Sequence, residues 1–154
     1  MSEPRVVVVE FANAQRIRSW REHCDDALGI SAADRPLAHA SDRFVWQLTS
    51  GNNRAVARGY RTLTSADAAL EDFAAVRDRG DQLAIRSIRT SHLPAYSWAA
   101  TLGEEVVMMS ARVYSTVRDM RDSIALARGT LAAATVRSFR RATETGPVPI
   151  GRAM

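Results

Sequence analysis

The sequence predicts an α+β fold in which two pseudo-symmetric β-β-(β)-α-β repeats form one sheet-and-helix domain, and three observations carry that prediction. Large side chains alternate with smaller ones at 44–48 and again at 96–100. Each run leads into Gly-containing turn residues and a second apolar run ending in Tyr. Each Tyr precedes a hydroxyl residue and a stretch whose apolar spacing changes from two to three or four.

Taken in order, residues 5–11, with the apolar run Val6 to Val9 and Phe11 beyond it, suit a strand, and Ile17, Trp20, Cys24 and Leu28 place an amphipathic helix before Gly29. Residues 30–43 read as a linker or as carrying one more short strand at 37–40. Phe44, Trp46 and Leu48 alternate with Val45 and Gln47, as a strand with one buried face requires. Gly51-Asn52-Asn53 then turns the chain into a return strand ending at Tyr60. Thr64, with Asp67 three residues on, caps a helix whose apolar stripe is Ala66, Leu70, Phe73 and Ala74, stopped near Gly80. A further strand follows at 82–89.

The second unit repeats the order. Tyr96, Trp98 and Ala100 alternate with Ser97 and Ala99, Gly103-Glu104-Glu105 turns the chain, and the return strand ends at Tyr114. Thr116 and Asp119 start a helix with Met120, Ile124, Ala127 and Leu131 on one stripe, and a strand follows at 136–141. Trp46 matches Trp98 at an offset of 52; two extra residues in the second turn then raise the offset to 54, so that Ala57-Arg58-Gly59-Tyr60 matches Ala111-Arg112-Val113-Tyr114, Leu70 matches Ile124 and Ile85 matches Phe139. The second hairpin is expected to have the longer loop. Gly59 against Val113 is the informative difference, since Gly permits a bulge or a close backbone approach. The organisation is an N-terminal β-α extension (1–36), repeat 1 (37–89), repeat 2 (90–143) and a mobile tail (144–154), with the two repeats forming one structural domain.

The stretches FVWQL, SGNN, ARGY and LTSADAALEDF in the first unit, and YSWAA, LGEE, ARVY and STVRDMRDSIA in the second, resemble the YegP-like family of small uncharacterised proteins. The resemblance covers roughly 37–143. It implies tandem units that exchange C-terminal strands, so that the strand near Ile85 pairs within the other half's sheet and the one near Phe139 returns the exchange. The family's Asn-Gly turn is Asn52-Asn53 and Gly103-Glu104 here. No catalytic residue transfers from the family.

Composition narrows the function classes. With 154 residues, 46% of them hydrophobic, the chain can bury a real core. No apolar run approaches the roughly 20 residues of a membrane-crossing helix, and no signal-like stretch opens the chain, so a cytoplasmic protein is expected. Cys24 is the one cysteine and has no internal disulfide partner. The formal net charge is +4, and all 21 basic residues are Arg; most have acidic neighbours, and no basic block exceeds Arg140-Arg141, which weakens a nucleic-acid reading.

His23, His39 and His92 are scattered, fit surface or loop roles, and form no metal-ligand spacing. Neither a nucleophile elbow nor a phosphate-binding Gly loop occurs, so no catalytic, metal or cofactor residues are assigned. The expected role is a non-catalytic interaction module acting on a protein partner or on itself. An unpaired edge at 5–11 is one route to self-association. One alternative is sequence-tolerant nucleic-acid binding, with Arg54, Arg58, Arg61 and Arg112 holding the backbone and Phe44, Trp46, Tyr60, Tyr96, Trp98 and Tyr114 stacking bases. Core packing of those aromatics is the stronger expectation. A second alternative is a small-molecule enzyme or sensor with its site between the repeats, which requires a pocket where polar residues of both converge.

Overall fold

A computed structural model describes residues 4–29, 42–52, 54–90, 95–136 and 150–151. Three helices pack on a curled, mainly antiparallel sheet of nine strands. The strands are β1 (Arg5–Glu10), β2 (Phe44–Thr49), β3 (Ala55–Gly59), β4 (Ala84–Thr90), β5 (Ala95–Leu102), β6 (Glu105–Ser110), β7 (Val113–Tyr114), β8 (Thr135–Val136) and β9 (Ile150–Gly151). The helices are α1 (Ala14–Leu28), α2 (Ala66–Asp78) and α3 (Val117–Ala133), with a 3-10 turn at Gly80–Gln82. The sheet runs β8-β1-β2-β3-β6-β5-β7-β9, with β4 along the other side of β5.

Both hairpins carry a register shift at matching places, between Leu48 and Thr49 in one and between Ala100 and Thr101 in the other. Phe44 then pairs with Leu63, and Tyr96 pairs with Tyr114. At the centre of the sheet β3 lies antiparallel to β6, with Arg58 opposite Met109, Ala57 opposite Ser110 and Gly59 opposite Met108. The flanking bonds mirror one another, Tyr60 N donating to Val107 O and Ala111 N to Val56 O, both at 3.1 Å. These registers set an offset of 51 between the return strands, where the letters ARGY and ARVY suggest 54. The second hairpin turns at Gly103-Glu104 between paired Leu102 and Glu105, so its loop is the shorter one, contrary to expectation. Arg112 lies in the bend between β6 and β7, and its ladder position is not that of Arg58.

Helix boundaries follow capping chemistry. Ser65, not Thr64, caps α2, its hydroxyl accepting from Ala68 N at 3.0 Å, whereas Thr116 caps α3 as expected, accepting from Asp119 N at 3.1 Å. Asn13 caps α1, and Gly29 closes it with a φ of 69°. The buried stripe of α2 is Ala69, Phe73 and Val76, rotated from the expected one; Ala74 faces solvent. In an Ala-rich helix several stripes are equally apolar, and only the sheet selects one.

Both faces of the sheet are covered, where the alternation suggested one buried face. Under α2 and α3 lie Val6, Trp46, Leu48, Ala57, Trp98, Ala100 and Met108. On the opposite face Val7, Val9, Val45, Ala99 and Met109 pack with Phe11 and with Ile17, Trp20 and Cys24 of α1. Each fully buried large apolar side chain contributes about 1.5–3 kcal/mol, so Ile17 and Trp20 give α1 a substantial hold.

β1 is an inner strand, pairing with β2 on one side and in parallel with β8 at Arg5 and Val6 on the other, so the free edge expected at 5–11 is occupied there. In the expected tail, Ile150–Gly151 pairs in parallel with β7. His39, His92, Asn53, Phe139 and the strand expected at 37–40 lie outside the described residues, as does all but Val136 of the one expected at 136–141.

Candidate functional site

The four arginines singled out from the sequence do not form one patch. Arg58, one of the candidate backbone contacts, is 7% exposed in β3 beneath α1. Its Nε donates to Gln47 Oε1 at 2.9 Å, and its guanidinium lies 5.1 Å from the Trp20 ring and 5.7 Å from the Phe11 ring. Burial pulls its pKa down to about 10, against the charge of Cys24, and it remains a cation at neutral pH. Arg54 and Arg61 are exposed, and Arg112 is half-buried. Arg112 and Arg54 act on Tyr114, whereas Arg61 acts on Asp72.

His23 is half-buried on α1. It stacks on Trp20 with centroids 5.3 Å apart, and its Nε2 lies 3.3 Å from Ser110 O. Burial lowers its pKa, helped by the charge of Arg58 and opposed by the bond to Ser110 and by Asp26. Among the described residues no group of His, Cys, Asp and Glu could hold a metal ion. No described helix is long and apolar enough to cross a membrane.

Trp46 and Trp98 are both fully buried and offer no stacking platform. Their indole N–H groups have to find acceptors inside, and each finds one on the helix above it. Trp46 Nε1 donates to Asp72 Oδ2 at 2.8 Å, and Trp98 Nε1 donates to Ser123 Oγ at 3.0 Å. The Tyr114 hydroxyl also donates to Ser123 Oγ, at 2.7 Å.

A different place brings polar groups near the ends of α2 and α3 together. The last turn of α2, the 3-10 turn and the end of α3 meet over β6 and leave a cleft of about 280 Å³. Leu83, Met108 and Leu131 form its apolar part, all from the main core cluster. Arg77 and Asp81 line it from α2 and the 3-10 turn, and Arg128 and Ala132 from α3. Arg77 is held in place, its Nη2 donating to Ala132 O at 3.2 Å while its guanidinium sits 5.9 Å from the Phe73 ring. Arg77 and Arg128 are 51 residues apart, the separation that the sheet registers set, and so are Gly80 and Leu131.

The volume sits just below the 300–1,000 Å³ usual for drug-sized ligands, so the cleft suits a smaller molecule. Two guanidinium groups and one carboxylate leave it net positive. The local sequence pattern shows no sign of it: Gly80 reads as a helix stop, and nothing nearby marks Arg77 or Arg128. An offset of 51 applied along both helices would have found the arginine pair.

No family model and no curated protein matches this chain. Among solved structures it is similar to the solution NMR structure of yegP from E. coli, a protein of unknown function, with a TM-score of 0.56. The match covers 94% of this chain and 98% of that one, at 13% sequence identity. The chain has a YegP-like fold. At that identity the likeness extends to the fold alone; the cleft residues of this YegP-like chain are argued from its own geometry.

Proposed function

We propose that this chain is a non-catalytic binding module assembled from two copies of one β-β-α-β unit, and that it takes a small ligand at the seam between them. The observation that carries the reading is the cleft itself, where Arg77 and Arg128 stand at matching positions on either side of an apolar floor. Such a lining holds and orients a ligand without offering a nucleophile paired with a base.

Several correspondences support the duplication. Ser65 and Thr116, Asp72 and Ser123, and Arg77 and Arg128 are each 51 residues apart and occupy equivalent places as helix cap, indole acceptor and cleft wall. The sequence AIRSIRT of β4 recurs as TVRSFRR at 135–141, again 51 residues on. β4 leaves α2 to pair with β5, and β8 leaves α3 to pair with β1, which is the pattern an exchange of strands produces. On this reading β1 belongs to the N-terminal extension and has inserted beside β2, in the place that β4 holds beside β5.

The test is an NMR titration of methyl-labelled protein against a mixed set of small acids, alcohols and amines. The expected result is saturable shifts at Met108 and Leu131 with at least one compound class. If no compound moves those methyls, the binding reading fails.

A further inference from the structure

We infer that the ligand is a small monocarboxylate with an aliphatic body, and that Gly80 sets its size. This rests on the binding reading above and names the chemistry of the same cleft.

The charge balance selects the head group. Arg77 and Arg128 can present N–H donors in the planar fork that a carboxylate accepts, and Asp81 opposes a second negative charge on the same ligand. Arg77 already donates one Nη2 hydrogen to Ala132 O, which fixes its plane while leaving other N–H groups for a ligand. Leu83, Met108 and Leu131 supply aliphatic and thioether carbon with no polar atom for a hydroxylated body to bond. At about 30 Å³ per small group, the water-sized share, a volume of about 280 Å³ holds roughly nine heavy atoms. That matches a straight-chain acid such as hexanoate or heptanoate.

Gly80 accounts for the room. Its counterpart in the other half is Leu131, so the half that carries Gly80 lacks a leucine-sized side chain where its partner has one. The backbone does not call for glycine, because Gly80 is not among the positive-φ glycines. A β-carbon there would meet only Leu131 Cδ2, at the ordinary distance of 3.6 Å. The cleft is therefore space left by a missing side chain and not a by-product of a strained turn.

Hexanoate, hexanol, hexylamine and hexyl phosphate are titrated into the full chain and followed at the Met108 and Leu131 methyls. Hexanoate is expected to bind about tenfold tighter than hexanol, and Arg128→Gln to bring hexanoate down to the hexanol level without changing hexanol. Gly80→Val is expected to abolish both, with Gly80→Ala intermediate; thermal melting shows whether each variant is folded, and the wild-type ranking stands independently of them. Tighter binding of hexylamine or hexyl phosphate overturns the monocarboxylate assignment. So does silence of all four probes when other compounds still move the cleft methyls, an outcome that leaves the binding reading intact. Unchanged hexanoate affinity in folded Gly80→Val overturns the role of Gly80.

Discussion

The two hairpin-helix halves bury a tryptophan in the same way and satisfy it differently. Trp46 gives its indole proton to the carboxylate of Asp72, whereas Trp98 gives its proton to the hydroxyl of Ser123, which Tyr114 also reaches. Burial raises the Asp72 pKa, while the bond from Trp46 and the charge of Arg61 pull it back. The same geometric solution therefore carries a charge in one half and none in the other. Interior packing fixes where a donor must find an acceptor, and leaves the type of acceptor free.

The strand facing each tryptophan sharpens the contrast. Continuing the hairpin registers places Trp46 opposite Gly59 and Trp98 opposite Ser110. A β-carbon at Gly59 would fall 2.7 Å from Trp46 Cε2, closer than side chains tolerate. Gly59 thus serves a close approach, the option raised by its difference from Val113. Gly59→Ala is expected to cost about 3 kcal/mol of stability through overpacking. Ser110→Ala loses only the bond from Trp98 N at 3.3 Å and is expected to cost about 1 kcal/mol or less. Urea unfolding of the two variants measures both; equal costs would mean that the halves do not differ at this contact.

Next in size is removal of the indole donors themselves. Trp46→Phe leaves a half-buried carboxylate without its donor, and about 2–3 kcal/mol is expected at neutral pH. Trp98→Phe leaves Ser123 still bonded to Tyr114, and about 1–2 kcal/mol is expected. The two costs should also respond differently to acid. Because the folded pKa of Asp72 lies above its unfolded value of 3.8, the native state takes up the proton first, and stability is gained as pH falls through the folded pKa. Losing the Trp46 bond, which pulls that pKa back, raises it further in the variant, so Trp46→Phe gains more than wild type and its deficit should shrink on acidification, while the Trp98→Phe deficit stays level. Differences from wild type cancel the opposing contribution of His23, whose lowered pKa removes stability as pH falls below about 6.5. A Trp46→Phe deficit that grows in acid would place the charge elsewhere.

The strands, the turns and the helix starts were legible because they depend on local chemistry: alternation, Gly-containing turns and capping hydroxyls. The resemblance to the YegP fold was legible from the order of those same features. The alignment of the halves was not. Matching Ala-Arg and Tyr letters favoured an offset of 54, whereas the registers of the two hairpins and of the central strand pair set 51 across the return strands. Carried into α2 and α3 under the proposed duplication, that offset aligns Asp72 with Ser123 and Arg77 with Arg128, the pair that lines the cleft. The depth of Arg58 was also hidden, because its burial comes from α1, which lies more than 30 positions away in sequence.

Arg58 offers the mildest test of the comparison. It stands opposite Met109 across the central strand pair, so β3 places a cation at the centre of the sheet where β6 places a thioether. Burial pulls its pKa down to about 10, so the fold disfavours the charged form, and the Gln47 bond and the faces of Trp20 and Phe11 offset part of that penalty. Replacing a buried charged group with an apolar one of similar volume is often neutral or stabilising. Arg58→Met, which makes the central pair alike, is therefore expected to change stability by no more than about 1 kcal/mol, whereas Arg58→Ala empties the space under α1 and costs about 2–3 kcal/mol. A large loss in Arg58→Met would show that α1 is held by the charge and not by the volume beneath it. A small one would leave the arginine as a difference between the two central strands that packing tolerates.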